Sequence, residues 1–478
     1  MIFGASLKTA PEDRIAFGQK LAYAVGMFVN NLQAAALPAM SVILNLGLGV
    51  DPRWVGLLAA IPRVFDAVTD PIMGYISDNT RSRWGRRRPY IFAGAIAAGV
   101  IFALMWQLPE GRSQAFYFWI FLTASLLFFG AYTVYATPFV AFGYEMTADY
   151  HERTRLHTFA NVVGQIAWLM VPWFYAVMAD PRLFENKVQG ARFLAIVVGV
   201  IVAVMGVVPA IFCRERFGSL PPVKIGEGVW GNLKDFFKSF AETFRCKPFV
   251  KLCAATFLVF NGYQLGISFS LYVMIYYVFG GSDSLAGKLQ GWFGMLTSAV
   301  TLVVVIPLTG WIAEKIDKRT TFFCTIGLSL VGYALKWVGY NPAHPYWLLY
   351  AAPLTAFGTG SLFTLMGSMI SDVCDYDELT SYRRREGMFG AIYWWMVKVG
   401  MALAGLLSGV LLWASGFDVK LGPAQPAQTL LLLRVFDVGI PLLTSAAAIV
   451  ILSRYEITEE RARQIRMELE ARRGKLTL

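Results

Sequence analysis

Arg63, Asp66 and Asp70 fall within a single apolar run, residues 54–77, that is long enough to cross a bilayer. Spacings of three and four put all three on one face of a helix. A charge inside a membrane is costly, so an ionisable residue in such a run is a functional candidate by default. Two carboxylates four residues apart repel each other and are tolerated together when a cation or proton sits with them. A monovalent-cation or proton site is therefore the leading reading of Asp66 and Asp70. Two others stay open: Arg63 neutralising the acids in a packing network, and direct contact with a substrate. Lys398, inside Tyr393-Trp394-Trp395-Met396-Val397-Lys398, needs an anionic partner, and the same aspartates are available to it. Lys336 lies near the end of its run, where snorkelling to the interface is expected.

A second set of charges flanks the apolar runs. Glu145, Asp149 and Glu152 follow the fourth run, and Asp372, Asp375, Asp377 and Glu378 follow the tenth. Together with Arg81, Arg83 and Arg86 to Arg88 they read as salt bridges of a gate that form and break in turn; ordinary solvated loop charge is the plainer alternative. His151, His157 and His344 have no metal-ligand spacing, so no cofactor and no metal beyond a coupling Na⁺ is expected. The chain has no HExxH, no GxSxG and no clustered histidines, which argues against an enzyme.

The elements that must position these residues follow from composition. Of 478 residues, 56% are hydrophobic and only 15% charged, against roughly 25% charged in a soluble domain. Lipid is the solvent that fits. Runs of about 20 residues or more fall at 21–48, 54–77, 90–108, 116–142, 158–180 and 192–212. A second set falls at 249–278, 287–312, 320–340, 345–371, 388–415 and 428–452. The net charge of +11 sits in short loops of one parity, which is the positive-inside pattern and not a nucleic-acid surface. Both termini and the central stretch are then expected in the cytoplasm. Five scattered cysteines without CxxC spacing imply neither a disulfide framework nor a zinc site. The first apolar stretch has no cleavage site after it and is expected to remain as a span.

An internal echo supports two related halves. Pro71-x-x-Gly74-Tyr75-Ile76-x-Asp78 recurs as Pro307-x-x-Gly310-Trp311-Ile312-x-Glu314, and Asp149-Tyr150-x-Glu152 as Asp375-Tyr376-x-Glu378. Both fall at equivalent spans of two sets of six. The expected fold is an all-α membrane protein of twelve transmembrane helices in two six-helix halves, the major facilitator architecture, with a substrate near the midplane. Residues 1–212 form the first half, 213–248 a basic cytoplasmic linker, 249–455 the second half and 456–478 a charged, solvated cytoplasmic tail with the pattern of a short amphipathic helix. The expected activity is cation-coupled secondary transport across the cell (inner or plasma) membrane by a multi-pass protein, a monomer. A non-transporting membrane receptor is the alternative from another class.

These motifs resemble a known family. Arg63-x-x-Asp66-Ala67-x-x-Asp70-Pro71-x-x-Gly74, continuing through Asp78-x-Thr80-Arg81-x-Arg83-Trp84-Gly85-Arg86-x-Arg88-Pro89, is similar to the glycoside–pentoside–hexuronide:cation symporters. Asp149-Tyr150-x-Glu152-Arg153-Thr154-x-Leu156 and Arg385-Glu386-Gly387 with Lys398 carry the likeness further. The resemblance implies a Na⁺, Li⁺ or H⁺ site at Asp66 and Asp70, with Thr133 as a further oxygen ligand; hard oxygen donors suit Na⁺. It also implies that Lys398, with Arg63 nearby in sequence to the acids, links cation and substrate.

The departures concern the sugar. Where melibiose-type members carry two sugar-binding aspartates, a tryptophan and an arginine, this chain has Asn31, Ala136, Val140 and Asn161. One reading keeps a sugar or glycoside, anchored by Asn30, Asn31, Asn161, Gln165, Asn261 and Gln264 with Tyr393 and Trp394 as aromatic surface. The other gives an amphipathic, lysolipid-type solute whose anionic headgroup meets Lys398. Family membership favours the sugar.

Overall fold

Chain that crosses lipid must satisfy its backbone internally, which leaves helices or closed barrels. The computed structural model describes residues 14–80, 82–147, 150–215, 243–381 and 386–473, and these contain helices and no strand. In chain order they are α1 (Phe17–Leu46), α2 (Pro52–Asn79), α3 (Arg88–Met105), α4 (Gln114–Glu145), α5 (Tyr150–Met170), α6 (Phe174–Met178), α7 (Lys187–Gly206) and α8 (Val208–Phe212). Then come α9 (Lys247–Tyr272), α10 (Asp283–Val300), α11 (Ile306–Lys315), α12 (Lys318–Gly339), α13 (Ala352–Ser381), α14 (Glu386–Ala414), α15 (Ala427–Leu452) and α16 (Glu459–Arg473). Side chains set several starts: Ser113 accepts from the Phe116 N–H, Asn186 from Gln189, and Asp317 from Arg319 and Thr320. Each bond relieves one of the orphan donors of a first turn.

Among the described residues, 11 stretches are long and apolar enough to cross a membrane. The remaining expected run, 54–77, is α2; it has the length, 28 residues, but Arg53, Arg63, Asp66 and Asp70 lower its hydropathy. Two spans depart from α geometry. The π segment Val273–Val278 continues α9, and Thr301–Val305 joins α10 to α11 just before Pro307, whose missing N–H cannot close an ordinary turn.

The chain packs as two units: Met1–Val50 with Phe65–Val229, and Asp51–Val64 with Trp230–Leu478. In the first unit, α3 meets α7 at Gly99 and Gly199, where a side chain on either would run into the other's carbonyl. Small residues at such a crossing let backbones approach closely. Tyr135 of α4 donates to the Gly26 carbonyl of α1 at 2.9 Å. In the second unit, Gly56 lies against the backbone of Leu406 and Gly405, and the Arg53 guanidinium stands 4.7 Å from the Trp413 ring.

The second unit's core gathers Phe249, Leu252, Phe322, Met366, Phe389 and Leu452 with Ile465 and Leu469 of α16. For the described part of 456–478, up to residue 473, this corrects the reading of a solvated tail. The helix is there, but its apolar side is buried and Arg472 pairs with Glu378 at 3.4 Å. Residues 216–242 of the expected linker lie outside the described residues.

Candidate functional site

In the first unit, α2 and α4 bring two acid–hydroxyl pairs together, one turn apart. Thr133 Oγ1 donates to Asp66 Oδ1 at 3.1 Å, and Thr137 Oγ1 donates to Asp70 Oδ1 at 3.2 Å. Thr69 adds a third hydroxyl, 3.2 Å from that of Thr133. Asp66 is fully buried and Thr133 is 2% exposed, while Asp70, Thr69 and Thr137 are half-buried. The i, i+4 spacing of the acids on α2 matches that of the threonines on α4, so the two ladders register. The result is a concentration of hard oxygen donors carrying two formal negative charges, the chemistry that a small monovalent cation or a proton satisfies. Asp66, Asp70 and Thr133 thus come together as expected; Thr69 and Thr137 went unread, although Thr137 sits four residues from Thr133 just as Asp70 does from Asp66.

The other expected residues are placed as follows. Arg63 is buried and belongs to the packing of the second unit. Lys398 is half-buried on α14. On α1, Asn30 and Asn31 are half-buried, and Asn31 lies beside Gly164 of α5. Asn161 is exposed and Gln165 half-buried. One turn past Asn30, Gln33 is 2% exposed with both amide atoms lacking a partner, as does Asn30 Oδ1. Asn261 of α9 is tucked against Gly400 of α14, donating to the Phe257 carbonyl, and Gln264 is half-buried. Tyr393 is in the apolar core and its hydroxyl accepts from Thr256 at 3.3 Å, while Trp394, 56% exposed, stacks on Phe363.

Some of the charges expected to form a gate pair within each unit. Arg86 and Arg87 both bond Glu145. In the second unit Asp372 pairs with Lys318 at 2.6 Å. Arg83 is exposed and Asp375 half-buried; Arg81 and Asp149 lie outside the described residues. Glu215 organises the arginine loop, accepting from the backbone N–H groups of Arg86 and Arg87 at 2.7 Å each and of Arg88 at 3.0 Å. Its carboxylate sits at the N-terminus of α3, where the helix dipole favours negative charge, and against Gly85, whose φ of +100° and missing Cβ make the space. Nothing in the local sequence signals that role.

Glu152, the echo of Glu378, is held by Lys20 Nζ at 2.6 Å and the Ile15 N–H at 3.0 Å. Burial opposes its ionisation, but these bonds and the charges of Lys20 and Arg155 outweigh it and hold the carboxyl below its ordinary value.

Lys336 contradicts the snorkelling expectation. It is 5% exposed and bonds Asp437 Oδ1 at 2.6 Å, while Tyr340 donates to Oδ2 at 2.5 Å with Ser270 3.0 Å behind it. A position near a helix end does not fix which way a side chain turns, and an inward partner on α15 outcompetes the interface. Asp437 was legible by the rule that found Asp66, an acid inside an apolar run.

Comparison with known proteins agrees with this architecture. The family model described as MFS/sugar transport protein matches residues 22–459. An uncharacterized symporter of Synechocystis sp. is 26% identical, covering 96% of this chain and 98% of its own. A putative glycoside/cation symporter of Escherichia coli (strain K12) is 27% identical over 88% of this chain and 87% of its own. The crystal structure of a bacterial homolog to the human lysosomal transporter Spinster is alike in fold, with a TM-score of 0.67 at 16% identity over 91% of this chain and 96% of that one.

Proposed function

We propose that this chain, which belongs to the MFS/sugar transport protein family, carries a sugar- or glycoside-type solute across the membrane together with Na⁺ or H⁺. It is a multi-pass transporter of the symporter type in the cell membrane, and not an enzyme. The finer reading rests on one observation: Asp66–Thr133 and Asp70–Thr137, two acid–hydroxyl pairs stacked one turn apart on α2 and α4. Two carboxylates lined by hydroxyls at membrane depth offer the hard oxygens and negative charge that attract one small cation or a proton.

In this reading α2 is the twelfth span beside the 11 apolar ones, and both termini face the cytoplasm with the arginine loop. Asp66, Asp70, Thr133, Thr69 and Thr137 bind the coupling ion; Arg63 and Lys398 report its presence to the solute. Asn30, Asn31, Gln33 and Gln165 of the first unit supply neutral amides for hydroxyl groups. Unmet amide atoms on Asn30 and Gln33 support this, because buried polar groups are nearly always bonded. The Arg86–Glu145 and Lys318–Asp372 pairs hold the cytoplasmic ends during alternation.

The test is uptake of a sugar panel into proteoliposomes with and without a Na⁺ or proton gradient. Gradient-dependent accumulation, abolished by Asp66→Asn or Asp70→Asn while the protein stays folded, is expected. Accumulation against a gradient by either variant would refute the coupling site.

A further inference from the structure

Arg434, in the first third of α15, is a cation inside a membrane-spanning helix that makes no salt bridge among the described residues. Its guanidinium carbon stands 4.2 Å from the ring centroid of Tyr277 and 4.2 Å from that of Trp337. The guanidinium makes one hydrogen bond among the described residues, from Nη2 to the Trp337 carbonyl at 3.3 Å, and Nε is buried without a partner. An arginine carries five N–H donors, so most of its capacity is unspent.

The acid one turn along α15 does not help. Asp437 gives one oxygen to Lys336 and the other to Tyr340. Lys336, Arg434 and Asp437 therefore sum to one positive charge, and the excess rests on Arg434. A charge left alone at membrane depth is costly, and the site as it stands asks for one anion with acceptor oxygens in the guanidinium plane.

The surroundings say where that anion comes from. Leu431 is 49% exposed, Val435 41% and Val338 61%, apolar side chains that a span turns toward lipid. Trp337 lies in the last turn of α12 and Tyr277 at the end of the π segment Val273–Val278, at the opposite end of the second unit from Lys318, where α12 begins. Tryptophan and tyrosine at helix ends settle at headgroup level. We propose that the unspent N–H donors of Arg434 bind the phosphate of an anionic phospholipid, with Tyr277 and Trp337 packing against the guanidinium at headgroup level. A phosphate presents paired oxygens that match the arginine fork and supplies the missing negative charge.

The experiment measures thermal unfolding of the purified full chain in one detergent with added phosphatidylglycerol, phosphatidylcholine or inorganic phosphate. Wild type should gain a few degrees with phosphatidylglycerol and little with the other two, because a ligand of the folded state raises its apparent stability by mass action. Arg434→Gln should lose that gain. Arg434→Lys, which keeps the charge without the planar fork, should retain less than half of it. Equal gains in wild type and Arg434→Gln overturn the proposal, and so does a gain from inorganic phosphate matching that from the lipid. Should Arg434→Gln not purify, Arg434→Lys and Trp337→Leu decide: an undiminished phosphatidylglycerol gain in both overturns it.

Discussion

Removing Asp437 alone should cost the second unit far more than removing Asp437 and Lys336 together. The side chains are 0% and 6% exposed, so neither charge can be relieved by solvent where it stands. Taking one partner from a buried pair costs about 3–5 kcal/mol, whereas replacing both by apolar residues of similar volume is neutral or stabilising by about 1–4 kcal/mol. Asp437→Leu also takes an acceptor from the Tyr340 hydroxyl, but Ser270 remains 3.0 Å from it, which limits that extra loss to about 1 kcal/mol or less. Asp437→Asn should be milder, because its amide oxygen still accepts from Lys336. A double-mutant cycle of Asp437→Leu and Lys336→Met, followed by unfolding of purified protein in a single detergent, should give a coupling energy of at least about 3 kcal/mol. If the double variant loses the sum of the two single losses, the pair is not held as a closed unit and the reasoning fails. Asp437→Leu within about 0.5 kcal/mol of wild type would refute it equally.

Three further outcomes follow from the first unit. Thr133→Val or Thr137→Val should each weaken cation activation of uptake roughly five- to tenfold, the equivalent of about 1–1.4 kcal/mol for one hydroxyl; an unchanged half-saturating Na⁺ or proton concentration argues against an oxygen-ligand site. The carboxyl of Glu152 is held below its ordinary value of 4.5, so its stabilisation is full above that pH and lost as pH falls through the lower folded value. Glu152→Gln should cost about 1.5–3 kcal/mol near neutrality and flatten the acid limb of stability below about pH 5, and an unaltered limb refutes the assignment. Melibiose and nitrophenyl galactosides should bind worse than millimolar in saturating Na⁺, since losing two charge-assisted anchors costs about 3–6 kcal/mol; millimolar binding that disappears in Asn31→Ala would show that the pocket survives in another form.

What the sequence made legible was what lipid makes conspicuous. Asp66 and Asp70 stand out because an acid in an apolar run is costly, and their four-residue spacing already placed them on one face. Thr69 and Thr137 supply two of the three hydroxyls of the same cluster and were invisible, because a threonine is tolerated anywhere in a membrane helix by bonding its own backbone, as Thr69 does with Phe65. Lys336 was misread for a related reason. Distance from a helix end can be counted along a chain, but the direction of a side chain depends on its neighbours, here Asp437 on a helix about a hundred residues away. The amphipathic pattern of 456–478 gave the helix but not the core that buries Ile465 and Leu469. The two DYxE echoes, read as signs of repetition, also mark glutamates with basic partners in each unit: Lys20 for Glu152 and Arg472 for Glu378.

The helix that holds the acids also bears on how an ion could matter to the rest of the molecule. Residues 51–64 of the chain pack with the second unit and residues from Phe65 onward with the first, so α2 changes allegiance within a single unbroken helix. Arg63 falls just before that boundary and Asp66 just after it. Neutralising the acids with a cation therefore alters charge within one turn of the point where one helix serves two packings. On these grounds Gly56→Leu, which would force α2 away from Gly405 and Leu406, should leave cation binding by Asp66 and Asp70 intact while uncoupling it from solute uptake. Cation-induced stabilisation retained alongside lost gradient-driven accumulation is the expected pairing; loss of both together would mean that the packing of α2 shapes the ion site itself and that the two functions are not separable along this helix.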